Sequence, residues 1–493
     1  MAASMSTAGA GWLPFAEQAF ARARDENRPV LLVLTARWCP HSAGLWRTSL
    51  ADPRTVDFLR QHFIAVHADA DRRPDVAERY ALGALPTIAV LSAQGEILCG
   101  GTSVDPDRLV QLLQRVLDAY AAVDHLRAAR AARVTFERPP APAVPAIVEQ
   151  IAAGFDPQHG GWGGAPRFPL TAPLRLALDM CREEGTGWWR QAAITTLDAM
   201  GWGPLYDEVD GGFFRYATGQ DWTGPAAEKL VDANASLLSL YVEAFETLQL
   251  ARYAERAADI LRYLQTSLAD PVDGGWAGSQ LTGASADTHV APGAAAGGDG
   301  VDRTIFADAN AAMVSAALFA GQVMQDASLS EFAIRSLERV VLACYRPGAG
   351  VAHYIDPCGT PAAEAEVRGL LDDQVAMATA HLDAFEATGN AVYRMMAEEL
   401  ALHALHTLWD EADGGFFDRA PDAPDTVGLL GQAHKPFVAN CAAARMLRRL
   451  APLSDRGTLA AYADRTLAAM APRAAAEGPL AAEFVLAVRH AGR

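Results

Sequence analysis

Lysine is almost missing from this 493-residue chain, which has only Lys229 and Lys435. Arginine carries nearly all the positive charge, and acids still outnumber bases, for a net charge of -18. A chain this acidic offers no basic face to a phosphate backbone, so a nucleic-acid partner is excluded. Cysteine is sparse as well. Cys39, Cys99, Cys181, Cys344, Cys358 and Cys441 are scattered, with no Cys-x-x-Cys pair and no metal-ligand spacing. That excludes a disulfide framework and points to free thiols in a reducing compartment, so a cytoplasmic protein is expected. No apolar run approaches about 18 residues, so no membrane span is expected. Residues 1–14 lack a basic segment followed by an apolar one, and no signal peptide is read there.

What is present in quantity is apolar residue content, at 51%, enough for large buried cores. Glycine also recurs in a fixed setting. Asp207-Glu208-Val209-Asp210-Gly211-Gly212-Phe213 is echoed by Asp270-Pro271-Val272-Asp273-Gly274-Gly275-Trp276 and by Asp410-Glu411-Ala412-Asp413-Gly414-Gly415-Phe416. A weaker copy, Asp156-Pro157-Gln158-His159-Gly160-Gly161-Trp162, opens the series. A loop repeated between helices marks an array of helical hairpins. Glycine supplies the tight turns, and Asp210, Asp273 and Asp413 are read as their caps.

The length calls for more than one domain. Residues 1–124 alternate strand and helix in the order βαβαββα, with Val30-Leu31-Leu32-Val33-Leu34 as a buried central strand. Residues 125–145 hold Pro139-Pro140-Ala141-Pro142 and read as a linker. Residues 146–493 are helical almost throughout. Helices are expected near 145–153, 172–183, 188–201, 227–249, 251–268, 305–325, 328–345, 370–388, 391–409, 435–451, 457–474 and 478–490. Six hairpins fit an all-α (α/α)6 toroid, with an open α-solenoid as the alternative. The stretch 283–300, rich in Ala, Gly and Asp, reads as a loop.

Trp38-Cys39-Pro40-His41-Ser42 follows the buried strand and opens a helix, and Leu85-Pro86-Thr87 lies downstream. Together they resemble a thioredoxin active-site turn with the cis-proline that faces it. A cysteine at a helix N-terminus has its thiolate favoured by the free N–H groups. Dithiol exchange needs a second cysteine, and that position is Ser42. Cys39 is therefore left with monothiol chemistry on a thiol partner, or with no chemistry on an inherited scaffold.

Toroids of this kind generally place their chemistry in the funnel at one end. Paired carboxylates there can act as acid and base on a sugar or sugar derivative, and aromatic faces can stack on it. The acidic candidates are Asp221, Glu228, Asp232, Asp308, Asp372 and Asp373. Of these, Glu228, Asp308 and Asp373 are expected to border the pocket as catalytic groups. Asp232 follows Glu228 by four, which puts both on one helix face. Trp162, Phe213, Tyr216, Trp222, Trp276 and Phe416 are candidate platforms, and Arg215, Lys229 and Asn310 candidate binding groups. Structural roles compete for many of these: core packing for the aromatics, and the helix dipole for acids in a first turn. His381 is read as a satisfied core histidine. His403 and His406 stand three apart with no acid placed beside them, so no metal and no cofactor are expected.

With these residues in hand, the chain resembles the spermatogenesis-associated protein 20 family, which fuses a thioredoxin-like domain to a six-hairpin barrel similar to N-acylglucosamine 2-epimerases. Asp69-Ala70-Asp71-Arg72-Arg73-Pro74-Asp75 matches its V-D-x-x-x-R-P-D stretch, with Ala68 at the valine. Residues 160–169 match G-G-F-G-x-A-P-K-F-P, and residues 211–229 match G-G-F-x-R-Y…W-x-V-P-H-F-E-K. Three departures stand out. Ser42 and Ala43 replace the last two residues of W-C-H-W-C-H. Ala226 and Ala233 replace the histidine and aspartate of H-F-E-K-M-L-Y-D-N, and Ala309 replaces the tryptophan of W-N. The resemblance thus implies an architecture rather than a reaction. A monothiol redox role through Cys39 leads. A carbohydrate-binding or carbohydrate-active barrel and a non-enzymatic scaffold are the alternatives.

Overall fold

A computed structural model describes residues 10–102, 105–123, 143–184, 187–282, 300–356, 367–423 and 425–489. Most of the expected linker, the loop at 283–299 and Cys358 lie outside these residues. The first region holds β1 (Leu13–Pro14), α1 (Glu17–Asp25), β2 (Val30–Thr35), α2 (Pro40–Arg47), α3 (Pro53–His62) and β3 (Ile64–Asp69). It continues with α4 (Pro74–Tyr80), β4 (Thr87–Leu91), β5 (Ile97–Thr102) and α5 (Pro106–Val123). The strands lie in the order β1-β3-β2-β4-β5, with β3 parallel to β1 and β2, and β4 antiparallel to β2 and β5.

Every residue of β2 is buried, because both faces of the sheet are covered. Val30, Leu32 and Leu34 pack with Phe15, Phe20 and Tyr80 on one face. Leu31 and Val33 pack with Leu59, Phe63 and Leu109 on the other. This is the thioredoxin-like α/β fold that the strand order predicts. The edge strand β1 is an addition. The helix expected after Cys39 is two helices, because Asp52 accepts the Arg54 N–H and Pro53 starts a new one.

The second region carries α6 (Val144–Ala153), α7 (Thr171–Glu184), α8 (Trp188–Gly201), α9 (Val231–Leu248), α10 (Ala251–Tyr263) and α11 (Ala307–Met324). It continues with α12 (Ala327–Cys344), α13 (Leu371–Thr388), α14 (Ala391–Thr407), α15 (Phe437–Leu450), α16 (Leu459–Met470) and α17 (Ala481–Arg489). The helices α7, α9, α11, α13, α15 and α17 touch in that cyclic order and close on themselves. Each packs against one outer helix: α8, α10, α12, α14, α16 and, for α17, α6. The ring is an (α/α)6 barrel, and its closure rules out the open solenoid. Short strands precede several inner helices: β6 (Glu228–Leu230), β7 (Ser279–Leu281), β8 (Val301–Asp302), β9 (Ile305–Phe306), β10 (Tyr345–Arg346), β11 (Gly350–Val351) and β12 (Tyr354–Ile355). Glu228 therefore lies on β6, ahead of α9, and does not share a helix face with Asp232.

The repeated loops are built alike. The first aspartate of each, not the one before Gly-Gly, is the cap. Asp207 accepts the N–H groups of Val209 and Asp210, Asp270 those of Val272 and Asp273, and Asp410 those of Ala412 and Asp413. A cation then ties the cap to the first glycine's carbonyl: Arg167 in the first loop, Lys229 in the second, Arg339 in the third and Lys435 in the fourth. Both lysines of the chain are spent this way. An inner-helix asparagine closes three of the loops. Asn234, Asn310 and Asn440 accept the N–H of Phe213, Trp276 and Phe416 and donate to the same residues' carbonyls. At Gly212, with φ +79°, a Cβ would stand 2.4 Å from the Tyr263 ring.

The thioredoxin-like domain sits on the loop end of the barrel. It contributes arginines and the barrel aspartates: Arg37 to Asp302 at 3.2 Å, Arg72 to Asp356 at 2.9 Å, and Arg79 to both oxygens of Asp418. In the other direction, Arg419 donates to Asp75. The Tyr80 hydroxyl donates to the Gly95 carbonyl and accepts the Leu429 N–H. Gly95 and Gly428 pass so closely that a Cβ on Gly95 would lie 2.5 Å from the Gly428 Cα.

Candidate functional site at the domain junction

Cys39 is the N-cap of α2, placed at the end of β2 and its short turn. Its Sγ lies 3.6 Å from the Leu85 carbonyl, and the Leu85–Pro86 peptide is cis. The thiol is 3% exposed, packed among Ala36, Trp38, Leu85 and the barrel's Leu230. Ser42 is buried as well, and its Oγ accepts the Ala36 N–H at 3.4 Å.

Beside the thiol turn, the Arg215 guanidinium lies 4.4 Å from the Trp38 ring centroid and 5.1 Å from that of Tyr216. Its Nε is 3.4 Å from Glu228. Burial raises the Glu228 carboxyl, with Arg215 opposing, and burial also raises the Tyr216 phenol. Trp38 Nε1 donates to Asp71 at 2.5 Å. Burial and the neighbouring Asp69 push Asp71 well above the usual carboxylate range, and Asp232 across the junction adds to this.

Inside the barrel, Asp232, Asp308 and Asp372 are each the second residue of their helices, α9, α11 and α13. These helices are consecutive in the ring, so the three carboxylates meet at one end of the lumen. They line a cavity of about 1480 Å³. Ser236, Ser239, Ser315 and Thr379 continue its wall, and the exposed Gln322, Glu386 and Thr388 mark its opening at the far end of the inner helices. The surrounding protein raises all three carboxyls, although Asp232 and Asp372 keep exposed surface toward the open cavity; repulsion from Asp308 adds to the first and third, repulsion from Asp373 adds to the second and third, and Asp372 is pushed up to about 7.

Asp373 points away from the cavity. It is fully buried and meets His353 Nδ1 at 3.0 and 3.1 Å. His353 Nε2 lies 2.7 Å from the Asp71 carbonyl of the other domain. Burial opposes charge on this imidazole, but the carboxylates of Asp373 and Asp308 outweigh it and push it up to about 10.

Of the residues named from the sequence, Cys39, Pro86, Arg215, Tyr216 and Glu228 gather at the junction, and Asp232, Asp308 and Asp372 line the cavity. The others are placed elsewhere. Trp162 and Trp222 are buried, with indole N–H groups donating to the carbonyls of Ile151 and His159. Lys229 and Asn310 are buried within the turn networks described above. Asp71 and His353 carried no signal alone, being a residue inside a matched motif and a lone histidine in a loop. A common register was available: Asp232, Asp308 and Asp372 each stand two residues before the amide that closes a loop, Asn234, Asn310 or Gln374.

Residues 4–129 match the family described as Thioredox_DsbH, a protein of unknown function, DUF255. The chain is 28% identical over 299 residues to spermatogenesis-associated protein 20 of Mus musculus. That alignment takes in 52% of this chain and 37% of the mouse protein, so little more than a third of the relative's length is spanned. The barrel is similar to cellobiose 2-epimerase from Bacillus thermoamylovorans B4167, with a TM-score of 0.52 and 12% identity over 66% of this chain and 85% of that one. It is likewise similar to D-mannose isomerase, with a TM-score of 0.51 and 14% identity over the same shares, 66% and 85%. At such identities the likeness is one of fold. A thioredoxin-like domain joined to an epimerase-like helical barrel is thus established. Among the described residues, no helix is long and apolar enough to cross a membrane.

Proposed function

We propose that this protein binds and transforms a sugar or sugar derivative by acid–base chemistry in the barrel lumen, with the thioredoxin-like domain as a fixed roof. One observation carries the reading: three carboxylates from consecutive inner helices converge on a cavity of about 1480 Å³ that reaches solvent. A cavity of that size holds a disaccharide-sized ligand, and its serine and threonine lining suits hydroxyl groups. Paired carboxylates with different surroundings can divide the roles of acid and base. Solved barrels with this fold include a cellobiose 2-epimerase and a D-mannose isomerase, which supports the substrate class.

The monothiol role has less in its favour. Leu230 of the barrel covers Cys39, and the ion pairs of Arg37, Arg72 and Arg79 hold the cover in place. A scaffold without activity would use neither site.

Saturation-transfer NMR with a panel of neutral mono- and disaccharides tests the proposal on the full chain. Binding that is lost in both Asp232→Asn and Asp372→Asn is expected. Silence across the panel would refute it. Fast alkylation of Cys39 in the folded protein would favour the thiol role instead.

A further inference from the structure

Asp308, His353 and Asp373 come from three separate places: the second residue of α11, the loop between β11 and β12, and the third residue of α13. One ligand atom from each lies within 4.8 Å of the other two. We infer that these three side chains form a binding site for a divalent transition-metal ion at the inner end of the barrel cavity.

The histidine is oriented for this. A carbonyl can only accept, so the Nε2 that meets Asp71 O at 2.7 Å carries a hydrogen. In the neutral tautomer, Nδ1 then keeps an unprotonated lone pair that faces the Asp373 carboxylate and can ligate an ion. Metal-binding histidines are typically pinned in this way, by a carbonyl or carboxylate on the ring nitrogen that does not ligate. The Phe306 ring, 5.5 Å away centroid to centroid, packs beside the imidazole.

The closest pair is spaced as two ligands of one ion would be. Two ligand atoms at about 2.1 Å from one ion and at right angles to each other stand about 3.0 Å apart. His353 Nδ1 and Asp373 Oδ1 are 3.0 Å apart. In the protein without metal, a proton holds this pair together; an ion entering between them takes the proton's place. Its two charges balance the two carboxylates, where one proton leaves a net negative charge.

The donor set of one nitrogen and two carboxylate oxygens suits Mn²⁺, Fe²⁺, Co²⁺ or Zn²⁺. It lacks the sulfur that selects copper(I) and the all-oxygen shell of Ca²⁺ or Mg²⁺. Three protein ligands leave coordination positions free, as open rather than structural sites do. Asp308 is half-buried on the cavity wall, while His353 and Asp373 are buried behind it. Metal binding itself requires no sugar ligand.

The test is a titration of the full chain after chelator treatment, with Mn²⁺, Co²⁺ and Zn²⁺ each followed by calorimetry. Cobalt is also followed by its visible absorption. One ion per chain is expected, with a dissociation constant below about 10 µM for at least one metal, and a cobalt spectrum showing nitrogen and oxygen ligands. Asp308→Asn, at the half-buried position, and His353→Gln each remove a direct ligand and should weaken binding by at least the roughly 10-fold that loss of an outer-shell partner costs. If none of the three metals binds wild type one-to-one, the three residues form an ion pair and nothing more. Undiminished affinity in Asp308→Asn would place any bound metal elsewhere and overturn the assignment; this holds even if His353→Gln fails to fold.

Discussion

Replacing Lys229 by methionine tests whether this lysine serves the fold rather than a ligand. Its side chain is wholly buried, and Nζ donates to Asp207 Oδ2 and the Gly211 carbonyl, each at 2.6 Å. The Tyr263 ring lies 4.7 Å from the ammonium. Methionine keeps most of the volume, so little cavity is left and the loss is electrostatic. Breaking a buried pair by removing one partner costs about 3–5 kcal/mol. Asp207 keeps its two backbone N–H donors and has a side chain 11% exposed, which places the loss near the lower limit, about 3 kcal/mol. Adding Asp207→Asn removes the stranded charge, so the double variant should recover part of that loss. Urea unfolding of wild type, both single variants and the double variant, followed by circular dichroism, gives the coupling energy. A coupling of about 1.5 kcal/mol or more is expected. A single-variant loss below about 1 kcal/mol, or strictly additive effects, would refute the turn-locking role. Ligand binding lost without any change in stability would return Lys229 to the binding site.

Asn440→Ala should cost about 2–4 kcal/mol in the same assay, because its amide serves Phe416 N–H, Phe416 C=O and Pro436 C=O, all buried; a loss under 1 kcal/mol would count against the shared loop design. Gly212→Ala should abolish soluble expression or lower the melting temperature by several degrees, given the 2.4 Å approach to Tyr263 and the positive φ. His381 is held down to about 4 by burial, with its Nδ1 on the Met377 carbonyl. The unfolded imidazole takes up its proton near 6.5, so this group's contribution is full above that pH. It is lost as pH falls from about 6.5 toward 4, by about 3 kcal/mol. His381→Phe should therefore flatten stability against pH in that window, and an unchanged slope would exclude the assignment. Arg79→Met removes the two-pronged bond to Asp418 and should speed proteolysis at the domain junction and alkylation of Cys39; unaltered rates would mean that the roof does not depend on this pair.

The structural half of the repeated motif was legible because a turn is a local event. Gly211-Gly212-Phe213 and its copies announce helical hairpins from a few adjacent residues, and the twelve helical stretches around them make the six hairpins of the barrel. The thioredoxin-like fold was readable for the same reason, through an unbroken apolar strand, a cysteine at a helix start and a proline at a set distance. Even so, local pattern misplaced the cap by three residues in each copy. Asp207 and Asp210 look alike in sequence, and only the chain's path decides which carboxylate faces the N–H groups.

What the sequence determined by itself is the set of elements and their order, since periodicity, glycine placement and capping act over a handful of residues. The tertiary structure alone decided the site. Asp232, Asp308 and Asp372 are far apart in the chain and converge only because α9, α11 and α13 are neighbours in a closed ring. His353 reaches Asp373 and the Asp71 carbonyl because one domain is seated on the other. Cys39 is covered for the same reason. Such meetings depend on ring closure and domain docking, which bring together residues that no local pattern relates.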